Sequence, residues 1–476
     1  MAERAMGMDA AMLEMESPTM HMHILGVLVL DPSTAPGPWS PRCVEDLYAE
    51  RLHLLPPFRR RVVAVPGGLD HPRWVEDEAF DLQRHIHHVD LGGDADRSDL
   101  ERFIGDLAGI PLRRDAPLWE VWVVEGFADG TVAVASKIHH ALMDGSASGD
   151  VLASLLELTP DAGPVPEAAP WVGERSPSPG RLLLEAGPAA LGRMLQIPVT
   201  LARTVTGVVS SRRQVAAAPS ALVGLAPASP FNGALSPRRR AAFRRCAFDD
   251  VVAIKQAFGA TVNDVVLVAT TLALRGYLEM LGEPRERPLV ASVPVGGRHE
   301  GESFGNHTSN VMVGLPVHLD DPAEMFEVIH RDAAGAKAAK GALDSRVLDA
   351  WIGVLPAALL QAGSRLYSGL HLGQLQPPLF NTIVSNVVGP PVPLYMAGAR
   401  LVGLYPMGPL IGNAGLNVTV LSLDGAVDVG IIACPGLVDD VAEVADEFEA
   451  AVARLLDLAG QIGRADPQGS GGEPGG

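Results

Sequence analysis

Cysteine is scarce. Cys43, Cys246 and Cys434 are the only three in 476 residues, widely spaced and odd in number. That excludes a disulfide framework and a cysteine metal cluster. Positive charge is also short: 37 Lys and Arg stand against 56 Asp and Glu, a net charge of −19. Nucleic acid is therefore excluded as a main partner, because phosphate binding needs a basic footprint. No uncharged apolar run reaches the length of about 18 residues that a spanning helix requires. The opening MAERAMGMDAAMLEME is acidic and lacks the continuous apolar stretch of a signal peptide. The expectation is a reduced, cytoplasmic, soluble protein. No short-period repeat is visible.

What is present is apolar residue. Hydrophobic residues make up 47% of the chain and charged residues 20%, enough for a large core and too little charge for global disorder. The length predicts two or three domains at about 150 residues each. Charge is unevenly spread. Arg181, Arg193, Arg203, Arg212 and Arg213 share their stretch with one acid, Glu185, and Arg238, Arg239, Arg240, Arg244 and Arg245 share theirs with none.

Residues 20–160 alternate strand-like and helix-like segments. MHMHILGVLVLDP reads as a strand stopped by Asp-Pro, PRCVEDLYAERLHLL and DLERFIGDLAGIPL as amphipathic helices, and LWEVWVVEG and GTVAVASKIHH as strands flanking a turn. From Thr159 the chain turns Pro- and Ala-rich, then apolar with scattered Arg, a helical pattern with expected breaks near Pro188 and Pro198. The second half predicts a helix opening at Thr261, buried-type strands around 287–298, 309–319 and 380–434, and a closing amphipathic helix over 439–462. The expected class is α+β. The expected units are an N-terminal domain over 1–160, a crossover over 161–235, a C-terminal domain over 236–463 and a disordered tail over 464–476.

The segment KIHHALMDG carries the chemistry. His139 and His140 stand where a strand ends, Asp144 follows four residues after His140, and Gly145 permits a sharp turn. An imidazole held by a sheet and presented outward suits a general base for an alcohol or thiol. Two structural histidines in a turn would give the same pattern. A metal site is the weaker option, because adjacent side chains diverge and no nearby His or Cys supplies convergent ligands. A second cluster, His85, His87 and His88, reads as solvated or at the core edge.

HHALMDG resembles the HHxxxDG signature of the CoA-dependent acyltransferase superfamily, which includes chloramphenicol acetyltransferase, carnitine acyltransferases and peptide-synthetase condensation domains. Further blocks narrow the resemblance: HPRWVED at 71–77, PLW at 117–119, TVNDVVLV at 261–268, SVPVGGR at 292–298, GNHTSNVMVGLPV at 305–317 and SNVVGPP at 385–391. Together, and in this order, they resemble bacterial wax ester synthase/diacylglycerol acyltransferase. The Gly296-Gly297 pair is a departure from many relatives.

The resemblance implies two chloramphenicol-acetyltransferase-like domains with mixed sheets, joined by a long crossover, and a tunnel between them with His140 near its middle. It implies transfer of a long-chain acyl group from acyl-CoA, a substrate rather than a cofactor, to diacylglycerol or a fatty alcohol, without metal or cofactor. His140 is expected to be the general base, His139 its support, Asp144 a loop anchor with Arg298 as partner, and Gly145 the turn. Asn263 and Ser385 are the expected oxyanion donors, although Asn263 could instead cap a helix with Asp264. The run Arg238, Arg239, Arg240, Arg244 and Arg245 could hold the coenzyme A phosphates or solvate a helix face. The apolar stretch 182–210 could lie on a membrane or lipid-droplet surface, or pack between domains. Rival readings are another HHxxxDG acyltransferase, polyketide-associated or condensation-like, and a non-catalytic lipid-droplet protein.

Overall fold

The computed structural model describes residues 2–142, 145–161, 163, 165–168, 171, 173–217, 226–295, 309–338 and 353–465. In chain order the strands are β1 (Glu3–Arg4), β2 (His23–Asp31), β3 (Arg60–Val63), β4 (Arg73–Glu76), β5 (Ile86–Ala95), β6 (Trp119–Phe127), β7 (Val132–His139), β8 (Arg240–Ala247), β9 (Leu289–Val295), β10 (Ser309–Leu315), β11 (Thr382–Val388), β12 (Tyr395–Met396), β13 (Ala399–Met407), β14 (Leu416–Leu423) and β15 (Ala426–Ala433). The helices are α1 (Gly7–Met15), α2 (Arg42–Arg51), α3 (Arg97–Ala108), α4 (Gly145–Leu155), α5 (Pro179–Ala217), α6 (Phe248–Ala257), α7 (Val262–Leu281), α8 (Pro322–Ala338), α9 (Ala357–Gly369) and α10 (Val441–Ala465).

Two six-stranded mixed sheets form the two halves, in the orders β12-β13-β2-β7-β6-β5 and β10-β9-β11-β14-β15-β8, with a small sheet β1-β4-β3 beside them. Local chemistry explains the main elements. Asp96 closes a capping box on α3 by accepting the Ser98 and Asp99 amides, while Asp99 accepts the Asp96 amide. Thr261 and Asp264 do the same for α7, and Gly282 ends that helix in the left-handed region. The β14–β15 hairpin turns on Asp424 and Gly425, both at positive φ, as a two-residue turn between twisted strands requires. The largest buried side chain of the first half is Trp119, whose indole N–H donates to Phe58 O at 2.7 Å while its ring stacks on Tyr48 and His85.

The division at 161–235 needs correction in one respect. Residues 395–407 belong by sequence to the second half, yet β12 and β13 complete the first sheet, with β13 antiparallel to β2 from Arg400↔Asp31 to Met407↔Leu25. The physical reason is β2 itself. It is apolar for most of its length, and without β13 it would be a long, open edge inviting foreign strands. The expected breaks at Pro188 and Pro198 are also absent: α5 runs through both, each proline removing a single backbone donor. Residues 466–476, most of the expected tail, lie outside the described residues.

β13 also crosses the face of β15. Gly430 on β15 lies so close to the Pro406 carbonyl that an added Cβ would overlap it, with Met407 crowding the same spot. Both obstacles include backbone or packed core. Gly430→Ala is therefore expected to cost about 1–3 kcal/mol by forcing the two sheets apart, read as a lower urea midpoint at unchanged slope.

Candidate active site

β7 ends at His139, and the chain turns through His140 to Leu142. Three backbone hydrogen bonds fix that turn. His139 N–H donates to Leu118 O at 2.9 Å, His140 N–H to Met22 O at 2.9 Å, and Leu142 N–H to His139 O at 2.9 Å. The two histidines then part company. His139 is fully buried, whereas His140 is half-buried. This is the pleat at work: successive side chains at a strand end point to opposite sides.

The His139 ring is occupied. Its Nδ1 accepts the Ala141 N–H at 3.1 Å, which places the neutral ring's proton on Nε2, facing a Glu16 carboxylate oxygen 3.8 Å away. Glu16 is in turn ion-paired with Arg114, whose guanidinium also donates to Leu13 O at 3.2 Å. Burial, with the Arg114 charge, pushes the His139 pKa well below its ordinary value, so the ring stays neutral.

More of the support comes from β2 and α3. His23 pairs with His139 in register across β2 and β7, and its Nε2–H donates to Ala108 O at 3.0 Å. Lys137, two residues before His139, is fully buried and donates to Ile110 O at 3.0 Å, with its ammonium over the Trp122 ring. Lys137 and His23 together satisfy carbonyls at the C-terminus of α3, where a cation is also favoured by the helix dipole. Burial lowers Lys137 to about 8. His21 stacks on His23 at 5.5 Å, and its Nε2 lies 3.1 Å from Pro237 O. The sequence signal for this layer is the His21, His23 pair at the entrance to β2, which begins at His23.

Burial is also the largest cause that lowers His21, to about 4, and His23, well below its ordinary value. A histidine whose folded pKa lies below its unfolded value binds fewer protons folded than unfolded. Its contribution to stability is complete above about pH 6.5 and is lost as pH falls toward the folded pKa. The protein is therefore expected to lose melting temperature steadily from pH 6.5 to 4, and His23→Gln is expected to flatten that slope. A profile equally steep in the variant would remove His23 from the account.

The other expected site residues are scattered. Asp144 and Arg298 lie outside the described residues; Gly145 opens α4. Asn263 is the second residue of α7, half-buried, and its side chain makes no hydrogen bond among the described residues. It is not the cap: Thr261 and Asp264 fill that role, and Asp264 also binds His330 at 2.9 Å. Ser385 is half-buried on β11 opposite Thr419 of β14, and its neighbour Asn386 carries a buried side-chain oxygen without a partner. α7 packs on β11, so Asn263 and Ser385 belong to the same half.

The arginine run is not one phosphate-binding strip. Arg239 is buried and donates to Ser236 O, Arg238 O and Thr19 O at 2.5–2.8 Å, tying the crossover to the segment before β2. Arg244 is buried against Glu101 and Asp446, and Arg245 pairs with Asp428 at 2.9 Å. β8 alternates these side chains between two packed faces, which leaves only Arg238 and Arg240 exposed and unpaired among the described residues. His85 corrects the other cluster: it is core, with Nδ1 2.7 Å from Trp119 O and its ring against Trp119. His88 pairs with Glu45 and His87 stacks on Trp122. Among the described residues no group of three His, Cys, Asp or Glu is arranged to hold a metal ion. A cavity of about 280 Å³ beside Trp39 and Gly398, and one of about 190 Å³ between Glu3 and Glu174, include neither motif histidine.

Two mixed sheets, the first completed by a strand from the second half of the chain, define a fold shared with peptide-synthetase condensation domains. The first condensation domain of the calcium-dependent antibiotic synthetase superposes with a TM-score of 0.55 at 16% identity, covering 96% of this chain and 97% of its own. The wax ester synthase/diacylglycerol acyltransferase of Marinobacter aquaeolei VT8 superposes more fully, with a TM-score of 0.69 at 25% identity over 96% of this chain and 100% of its own. The family model of the wax ester synthase/diacylglycerol acyltransferase catalytic domain matches residues 6–266, and that of its C-terminal domain matches residues 304–455. Two Mycobacterium tuberculosis proteins that carry the name diacylglycerol O-acyltransferase are 36% and 34% identical, over 98% and 93% of this chain and 92% and 93% of their own lengths. The chain belongs to the wax ester synthase/diacylglycerol acyltransferase family. It is an acyltransferase.

Proposed function

We propose that the chain transfers a long-chain acyl group from acyl-CoA to the free hydroxyl of diacylglycerol, and to fatty alcohols, with His140 as general base. The observation that carries this is the asymmetry of the histidine pair. His139 is buried, neutral and occupied at Nδ1, whereas His140 is half-buried on the turn that follows β7.

His140 takes the proton of the acceptor hydroxyl as its oxygen bonds to the thioester carbonyl carbon. The tetrahedral oxyanion collapses, the C–S bond breaks, and the proton passes from His140 to the sulfur of coenzyme A. No acyl-enzyme forms. Asn263 and Ser385 are the proposed donors to the oxyanion, with Asp144 and Arg298 shaping the loop. A well-aimed donor is worth about 3–4 kcal/mol in comparable sites. The acceptors dissolve in lipid, so the reaction takes place with the protein bound peripherally at a lipid surface.

The test is incubation with palmitoyl-CoA and either diolein or hexadecanol. Acceptor-dependent release of coenzyme A with formation of the matching ester supports the reading. Lipid binding without release would make the chain a lipid-surface protein instead.

A further inference from the structure

The two histidines of the motif are held by two short segments. His139 N–H donates to Leu118 O and His140 N–H to Met22 O, at 2.9 Å each. Leu118 follows Arg114 by four residues, and Met22 follows Glu16 by six. Arg114 and Glu16 are themselves an ion pair. The segments that carry this pair therefore also carry the carbonyls that fix the turn. Two features stiffen the one over 16–22. Ser17 N–H donates to Met20 O at 2.9 Å and Met20 N–H to Ser17 O at 3.1 Å, which closes a turn. Met22 stands at φ 48°, in the left-handed region that non-glycine residues rarely adopt. Backbone strain of this kind persists only where the surroundings over-determine it, and it concentrates at functional sites. Here it stands at the residue whose carbonyl takes the His140 N–H.

Each partner of the pair acts separately on the His139 ring. The ring accepts the Ala141 N–H at Nδ1, at 3.1 Å, which requires that nitrogen to carry no proton. Nε2 is buried and has no hydrogen-bond partner, with Glu16 Oε2 3.8 Å away. The carboxylate is too far to accept a hydrogen bond but close enough to favour a proton on the nitrogen that faces it. Alone it would also favour a second proton on the ring, and a protonated Nδ1 would confront the Ala141 N–H with another donor. Arg114 opposes that second proton, and it pairs with the same Glu16 oxygen. After burial, its charge is the largest cause that keeps His139 neutral. The other charges around the ring act in the same sense or through a neighbour. His23 on β2 and His140 disfavour an imidazolium, Lys137 acts on His23, and Glu14 acts on Arg114. Arg114 reaches both Glu16 and Leu13 O through one nitrogen, Nη2.

We infer that Glu16 and Arg114 are positioning residues for acyl transfer: the carboxylate sets the His139 proton on Nε2, the guanidinium balances the carboxylate, and the neutral ring so fixed holds the turn that presents His140. This rests on the reading of His140 as general base for its purpose, not for its geometry. Neither residue touches the reacting atoms; both act through His139.

The test joins two measurements on the full chain between pH 5 and 8. One is nitrogen-15 NMR of protein labelled in histidine, with the His139 signals identified by their loss in His139→Gln. The other is coenzyme A release from palmitoyl-CoA with diolein. Wild type is expected to show His139 in the neutral Nε2–H form throughout. Arg114→Met leaves the Glu16 carboxylate unpaired beside the ring. Its His139 is expected to take a second proton at a pH about 1–3 units higher than in wild type. Its kcat is expected to fall toward pH 5 more steeply than that of wild type, by on the order of tenfold, with KM unchanged. Arg114→Lys is expected to restore the wild-type profile, since one ammonium can make both contacts. The double variant Glu16→Gln/Arg114→Met carries neither charge and is expected to lose the added steepness. A wild-type His139 protonated on Nδ1, or an Arg114→Met protein whose His139 and pH profile match wild type, overturns the inference. So does a double variant as steep as Arg114→Met, since the pair would then act only as structure. Should Arg114→Met fail to fold, the wild-type tautomer remains decisive. The expected NMR behaviour without any transfer supports the pair and counts against the proposed reaction alone.

Discussion

Replacing His140 by alanine is expected to abolish nearly all acyl transfer, a loss of at least about 10²–10⁴-fold from the missing general base, while the protein keeps its melting temperature. The second half of that statement follows from how the turn is built. The His140 N–H bond to Met22 O and the Leu142 N–H bond to His139 O involve backbone only and survive the substitution. The half-buried ring leaves no closed cavity in the core. His139→Ala is expected to behave differently. It strips the Ala141 N–H of its acceptor and empties a fully buried site, so stability and activity fall together. Measuring kcat and urea midpoint for both variants separates a base from a support. A stable His140→Ala protein with near-native turnover would remove His140 from the chemistry.

The largest stability effect is expected from Arg244→Met. α3 of the first half packs on β8 of the second through Glu101, Gly105 and Gly109, the glycines letting the two backbones approach. Glu101 is buried in that contact, and burial raises its pKa, offset by the Phe243 N–H at 2.8 Å and the Arg244 guanidinium at 3.0 Å. Methionine fills the volume but leaves the carboxylate only the exposed Arg97, 3.8 Å away, as a cation. Breaking such a buried pair from one side costs about 3–5 kcal/mol. Because Glu101 can escape by taking a proton, the loss is expected to be greater at pH 8 than at pH 5. The double variant Glu101→Gln/Arg244→Met is expected to recover part of it, giving a coupling energy readable from a double-mutant cycle in urea. Additive losses would show that the pair does not hold the halves together.

The sequence made the local elements legible and left their assembly hidden. The helix opening at Thr261, the strand stopped by Asp-Pro and the two strands flanking the turn before Gly130 are short-range signals, and each falls near where it reads. The addition of β13 to the first sheet pairs residues as distant in sequence as Asp31 and Arg400, and nothing in ARLVGLYPM distinguishes one sheet from the other. The arginine run misled for a related reason. Five arginines in eight residues read as a cationic surface, but a strand sends alternate side chains to opposite faces, and on β8 both faces are packed. The histidine pair was legible at a strand end because its residues are adjacent. Its support from Glu16, His23 and Lys137 was not, because it converges from the residue after α1, from β2 and from β7 at distances that spacing does not encode. α5 was legible as apolar with arginine; that its leucines face outward became visible only with Leu182, Ala186 and Arg193 anchored beneath.

The most direct test of the central claim is a rapid-mixing measurement of coenzyme A release from labelled palmitoyl-CoA, with and without diolein, on wild type and His140→Ala. Direct transfer through His140 predicts no stoichiometric burst without acceptor, labelled triacylglycerol formed at the rate of coenzyme A release with it, and neither in the variant. A burst that leaves label covalently on the protein, or acceptor-dependent release that persists at near-wild-type rate in His140→Ala, would contradict it.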